Sequence, residues 1–132
     1  MEARAISRDN RQSARKARQV IDLIRGKGVG EAYAILQFTK KKAAEQIDKT
    51  LRSAVANAKQ KADTAGEFVD VDDLIVREAY VNEGPRLKRW RAAAMGRAAP
   101  RQHPTSHIVV VVGTEGSQRA STGTRGTRGR KE

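Results

Sequence analysis

Six cations, Arg86, Lys88, Arg89, Arg91, Arg97 and Arg101, fall within sixteen consecutive residues that hold no acid. Such a stretch repels itself until something neutralises it. The chemistry it suits is contact with a polyanion, above all with the phosphates of a nucleic acid. Six phosphate contacts would give a log–log salt slope of about −4 to −5. Five arginines against one lysine favour planar, stacking and bidentate contacts over simple point charges. Trp90 adds a ring that can stack on a base. A second group opens the chain, where Arg11, Arg15, Lys16 and Arg18 occupy four of eight positions with no acid between them, and Arg25 and Lys27 follow. Lys40, Lys41 and Lys42 form a third.

Other reactive residue types give less. There is no cysteine, which excludes a thiolate metal site, a disulfide framework and a cysteine nucleophile. His103 and His107 are four residues apart, but Pro104 breaks any helix that would set them side by side as metal ligands. Asp70, Asp72, Asp73, Glu78 and Glu83 read as polar flanks of a strand rather than as an acid–base pair. The Gly26-Lys27-Gly28-Val29-Gly30 run follows a helical pattern and lacks the order of a phosphate-cradling P-loop. No enzyme, metal site or cofactor is expected.

The chain has 132 residues and a formal net charge of +12. The excess is not spread evenly. Residues 1–28 carry eight basic and three acidic side chains, residues 29–83 eight and ten, residues 84–112 six and none, and residues 113–132 five and two. Solubilising charge would mix both signs over the surface, whereas a polyanion-binding surface concentrates one. The longest apolar run, Ile108 to Val112, is far short of the roughly 20 residues of a membrane span, and the first residues lack the apolar core of a secretory signal. The expectation is a soluble intracellular protein.

The cations need elements to position them. Ala3 to Ile6 fits a short strand. From Ser13, a candidate N-cap, Ala14, Ala17, Val20, Ile21 and Ile24 recur at helical spacing, with Gly26 as the stop. A second helix is expected over Glu31 to Phe38, with Ala32, Ile35 and Leu36 inward. Thr39 is placed to cap a third over about Lys40 to Ala62, whose inner face is Ala44, Ile47, Leu51, Ala54, Val55 and Ala58. Three lysines in its first turn would oppose the helix dipole, a penalty that a bound phosphate turns into attraction. Beyond residue 67 the period becomes strand-like, with Leu74, Val76 and Tyr80 alternating with Ile75, Ala79 and Val81. Ser106 to Gly113 supplies an antiparallel partner.

Residues 84–106 separate these two strands, too many for an ordinary hairpin loop and too apolar, with Leu87, Trp90, Met95 and five alanines, for a solvated linker. If the strands continue into it, each limb reaches about 35 Å at a rise near 3.3 Å per residue, against a radius of about 14 Å for a domain of this size. It reads as an arm that inserts into folded nucleic acid. The Thr, Gly and Arg-rich stretch over residues 114–132 lacks apolar content and should be disordered when free.

Four blocks carry a resemblance: SARKARQVIDLIRGK (13–27), KKAAEQIDKTLRSAVANA (41–58), YVNEGPRLKRWRAAAMGRA (80–98) and TSHIVVVV (105–112). In this order they resemble the bacterial large-subunit ribosomal protein L22 family over about residues 3–113. The resemblance implies an α+β fold, three helices packed on a small three-stranded antiparallel sheet, with a long protruding β-hairpin arm at about residues 82–106. It implies binding to large-subunit (23S) rRNA and neighbouring large-subunit proteins in the cytoplasmic ribosome. It also implies a hairpin tip that lines the nascent-polypeptide exit tunnel. The family's constriction and macrolide-response segment falls on Leu87, Lys88 and Arg89, and the adjoining loop on Trp90, Arg91, Ala92, Ala93, Ala94, Met95 and on to Arg97. Ala14 stands where the family often has Pro, and Ala92-Ala93 where it often has Pro-Arg.

The expected function is a structural constituent of the large subunit, monomeric outside the ribosome. Arg11, Arg15, Lys16, Arg18, Arg25, Lys27 and Lys40–Lys42 would hold rRNA from the globular side, and the arm cations would brace rRNA segments. An architectural DNA-binding protein with a β-arm is the alternative; Leu87, Trp90 or Met95 would be its wedge. Membrane binding is not expected, because no helix joins a basic face to bulky apolar residues.

Overall fold

The computed structural model describes residues 1–115; the basic tail over 116–132 lies outside the described residues. The order is β1 (Glu2–Asn10), α1 (Ala14–Ile21), α2 (Val29–Phe38), α3 (Ala43–Ala65), β2 (Leu74–Glu83), β3 (Leu87–Ala92), β4 (Ala98–His103) and β5 (Ser106–Thr114). Strands β1, β5 and β2 form one antiparallel sheet with β5 in the centre, and β3 pairs with β4 in a separate antiparallel ribbon. The α+β class and the three helices agree with the sequence.

The core lies between the helices and one face of the sheet. Ile108, Val110 and Val112 of β5 meet Ala17, Val20, Ile21 and Ile24 from the first helical segment and Ile47, Leu51, Ala54 and Ala58 of α3, all buried. Small residues along the 23-residue α3 let its backbone approach the sheet closely. Between α2 and α3, Arg52 holds the Asp48 carboxylate at 3.0 Å, and its guanidinium carbon sits 5.7 Å from the centre of the Tyr33 ring. Burial raises the Tyr33 hydroxyl above its ordinary pKa, Asp48 adds to the rise, and Arg52 opposes it.

Both free edges of the sheet are closed by side chains. On β2, the carbonyls of Val81 and Ala79 each accept two bonds from one guanidinium, Arg18 at 3.0 and 3.2 Å and Arg25 at 2.7 and 3.0 Å. The same edge exchanges backbone bonds at Val76 with Gly26 and Lys27. On β1, Asn57 donates to the Arg4 carbonyl at 2.9 Å and Lys61 to the Glu2 carbonyl at 2.8 Å. Groups that would otherwise recruit another strand are thereby occupied.

Four local expectations are corrected. The first helix ends at Ile21, with Asp22 as its C-cap, and a turn rather than helix carries the chain from there to Gly26. The first strand runs to Asn10 rather than Ile6, because β5 offers partners as far as Ser106. In β2 the simple alternation is broken by a bulge between Val76 and Glu78. The extra residue resets the phase, so that Leu74, Val76, Ala79 and Val81 all face the core and Tyr80 faces out. Thr39 closes α2 instead of opening α3: its hydroxyl and its amide both donate to the Ile35 carbonyl. The third helix starts at Ala43, so Lys40 and Lys41 precede it and only Lys42 occupies the cap position.

Candidate nucleic-acid interface

The arm begins where two prolines interrupt the ladder. Pro85 and Pro104 lack backbone donors, and β2 and β5 stop beside them at Glu83 and Ser106. The junction is tied by the Gly84 amide on the Thr105 carbonyl (2.9 Å) and by the Thr105 hydroxyl on the Pro85 carbonyl (2.5 Å). Gly84 is required by proximity: a Cβ there would lie 2.6 Å from the Thr105 hydroxyl and 3.2 Å from the His107 ring.

Beyond the junction, β3 and β4 pair from Leu87 opposite His103 to Ala92 opposite Ala98. The turn passes through Met95 (φ 60°) and Gly96 (φ 69°), and the Ala93 amide donates to the Arg97 carbonyl at 2.8 Å. Residues 88–103 are exposed throughout, including Trp90 at 73 % and Met95 at 93 %. Among the described residues no layer covers the two strands, so they have little apolar burial to hold them. The register adds a cost, since Arg89 lies directly opposite Arg101, and like charges in that position repel.

The body presents its own basic feature. Arg11, Gln12, Ser13 and Lys16, Gln19 on α1, Lys41 and Lys42 before α3, and His103 and Pro104 at the foot of the ribbon line an open groove of about 740 Å³. Four cations and no acid line it. Ser13 takes the extended N-cap conformation without using its side chain as a cap, while its carbonyl accepts from Ala17. Lys41 is braced by its ammonium on the Gln19 amide oxygen at 2.7 Å, tying the two walls. Lys40 lines a neighbouring recess with Thr39, Lys41 and Lys42, and Arg15 is exposed on α1.

The structure therefore sorts the expected cations into two groups. Arg18 and Arg25 spend donors on β2, and Arg25 also pairs with Asp22 at 2.9 Å, as Lys27 does with Glu31 at 3.4 Å. These three have partners within the body. Among the described residues, Arg11, Arg15, Lys16, Lys40, Lys42, Lys88, Arg91, Arg97 and Arg101 have no acidic partner. Arg86 donates to Gln102 at 3.1 Å across the base of the ribbon, and Arg89 to the neighbouring Lys88 carbonyl.

Two features were not singled out from sequence. The groove draws in His103 and Gln19, which no local pattern joins to Lys41. The opposed Arg89 and Arg101 follow only from the register, for which the Met95-Gly96 turn was the available signal. No group of three or more His, Cys, Asp or Glu side chains placed to hold a metal occurs among the described residues.

The sequence profile of ribosomal protein L22p/L17e matches residues 5–113. The chain is 55 % identical over 112 residues to the large ribosomal subunit protein uL22 of Bifidobacterium longum strain DJO10A, covering 85 % of this chain and 94 % of the relative. It is equally similar to the protein of that name from Halothermothrix orenii, covering 85 % and 95 %. To that of Bifidobacterium animalis subsp. lactis it is 51 % identical over 119 residues, covering 90 % and 100 %.

Proposed function

The chain belongs to the ribosomal protein L22p/L17e family, and on that premise we propose that it is a structural, non-enzymatic constituent of the large ribosomal subunit of the bacterial cytoplasm, bound to 23S rRNA through its groove and its arm. The observation that carries the rRNA reading is the segregation of charge. Among the described residues, groove and ribbon hold cations and no acid, and the five ion pairs lie elsewhere on the body. A ribbon with opposed arginines and no covering layer gains both neutralisation and support from RNA.

Within that assembly the arm, from Leu87 at the foot of the ribbon to Met95 at its turn, lines the nascent-polypeptide tunnel, and the ribbon braces rRNA. Leu87, Lys88 and Arg89, at the start of β3, shape the constriction. Other large-subunit proteins neighbour the body. The resemblance in the YVNEGPRLKRW and MGRA blocks supports this placement of the arm, although the register puts Leu87, Lys88 and Arg89 at its foot and not at its tip.

Sucrose-gradient fractionation of a lysate at low and high salt, with the chain located by mass spectrometry, tests the assignment. Stoichiometric recovery with the large subunit after the high-salt wash is expected. Recovery in free or DNA-bound fractions would overturn it in favour of a DNA-architectural role.

A further inference from the structure

The ribbon has two chemically different faces. Residues directly opposite in an antiparallel pair share a face, and neighbours along a strand alternate. The observed register therefore puts Arg89, Arg91, Arg101 and His103 on one face, together with Leu87 and Ala99. It puts Trp90, Pro100, Ala92 and Ala98 on the other, with Lys88 and Gln102 near the base. By the same alternation Arg97, next beyond Ala98, continues the arginine face toward the tip. The bond from Arg86 to Gln102 fits this division, since it places Arg86 on the Trp90 side and gives its guanidinium a partner there.

The arginine face does not end at the foot of the ribbon. His103, its last member, is also a wall of the body groove that holds Arg11, Lys16, Lys41 and Lys42. We propose that groove and arginine face form one continuous track for a single RNA backbone, which leaves the Trp90–Pro100 face turned away from that RNA. The inference rests on the rRNA-binding reading above and adds to it a direction: the arm docks by one side only. Three arguments support it. The track joins cations that have no acidic partner among the described residues. Phosphates along it neutralise the facing Arg89 and Arg101. The opposite face has an indole, a proline and alanines, which suit a polypeptide or another apolar surface better than a phosphate chain.

Ala98 and Ala99 make the test direct, being adjacent, both exposed and on opposite faces. The chain has no cysteine, so Ala98→Cys and Ala99→Cys each introduce a single thiol into the full chain. Maleimide labelling is followed with and without a 23S rRNA transcript. Ala99→Cys should label at least tenfold more slowly in the complex, and Ala98→Cys within twofold of its free rate. Equal protection of the two, or the reverse order, would overturn the one-sided track while leaving rRNA binding intact. Failure of the unmodified chain to bind the transcript would instead overturn the functional reading itself.

Continuity is tested by salt. Replacing Arg11, Lys16, Lys41 and Lys42 together by Ala should reduce the magnitude of the log–log salt slope by about 3, at roughly 0.7–0.9 per phosphate contact. A paired control, Lys49→Gln with Lys59→Gln on α3, should leave the slope unchanged. An unchanged slope in the groove variant would remove the groove from the track. Circular dichroism confirms that the exposed substitutions leave the fold in place.

Discussion

The three-stranded sheet of the body and the two-stranded ribbon of the arm are built from the same kind of antiparallel pairing, yet they solve opposite problems. The body covers one face of its sheet with α1 and α3 and closes both edges, with Arg18 and Arg25 on β2 and with Asn57 and Lys61 on β1. The ribbon covers neither face, and its cross-strand register sets Arg89 against Arg101. The body is stabilised by what the chain itself buries. On the proposed function the ribbon is stabilised by the RNA it binds, and the difference then separates fold from interface.

The comparison breaks first if the body's core is not where its stability resides. Leu51 is fully buried at the centre of α3 against the sheet, so Leu51→Ala should cost about 2–5 kcal/mol through lost burial and the cavity left behind. Urea unfolding followed by far-ultraviolet circular dichroism measures it. A cost below about 1 kcal/mol would mean that the helices do not hold the sheet as described.

A smaller effect tests the edges. Arg25 donates twice to the Ala79 carbonyl and pairs with Asp22, but its side chain is half exposed, so water can replace part of what is lost. Arg25→Ala should cost about 1 kcal/mol, below the usual range for hydrogen bonds to charged groups. Arg25→Lys should recover little of it, because a single ammonium does not reproduce the forked geometry. If Arg25→Ala instead weakened rRNA binding with no change in stability, Arg25 would belong to the interface, as its position in a basic run first indicated.

That residue shows where the sequence stopped being legible. Periodicity located the core faces of α1, with the turn after it, and of α3, because burial is enforced at nearly every turn: Ala14, Ala17, Val20, Ile21 and Ile24 are all buried, as are Ala44, Ile47, Leu51, Ala54, Val55 and Ala58. Charge density located the basic regions for the same cumulative reason. Single positions were harder. Arg18 and Arg25 look like their neighbours in sequence, and only the tertiary packing of α1 and the turn after it beside β2 brings carbonyls within their reach. The β2 bulge left no mark in composition, since Arg77 and Glu78 are ordinary residues for an outward-facing strand. Thr39 stands between two helices and can close one or open the other; the Ile35 carbonyl, already in place one turn back, decided it.

The smallest effect bears most directly on the comparison, because it should change sign between the free and the bound protein. Arg101→Gln removes one member of the facing arginine pair while keeping a polar side chain on the same face. In the free chain the substitution should stabilise the ribbon by a few tenths of a kcal/mol, within the usual size of cross-strand pair effects, and slow amide exchange at Arg89 and Arg91. In the presence of 23S rRNA it should weaken binding and reduce the magnitude of the salt slope by roughly one contact, about 0.7–0.9. No role confined to folding gives both signs, since a residue retained for the ribbon's own stability would destabilise the free arm when replaced. Faster exchange in the free variant would show that the arginine pair supports the ribbon after all, and the division between a self-sufficient body and a partner-dependent arm would fail at its most exposed point.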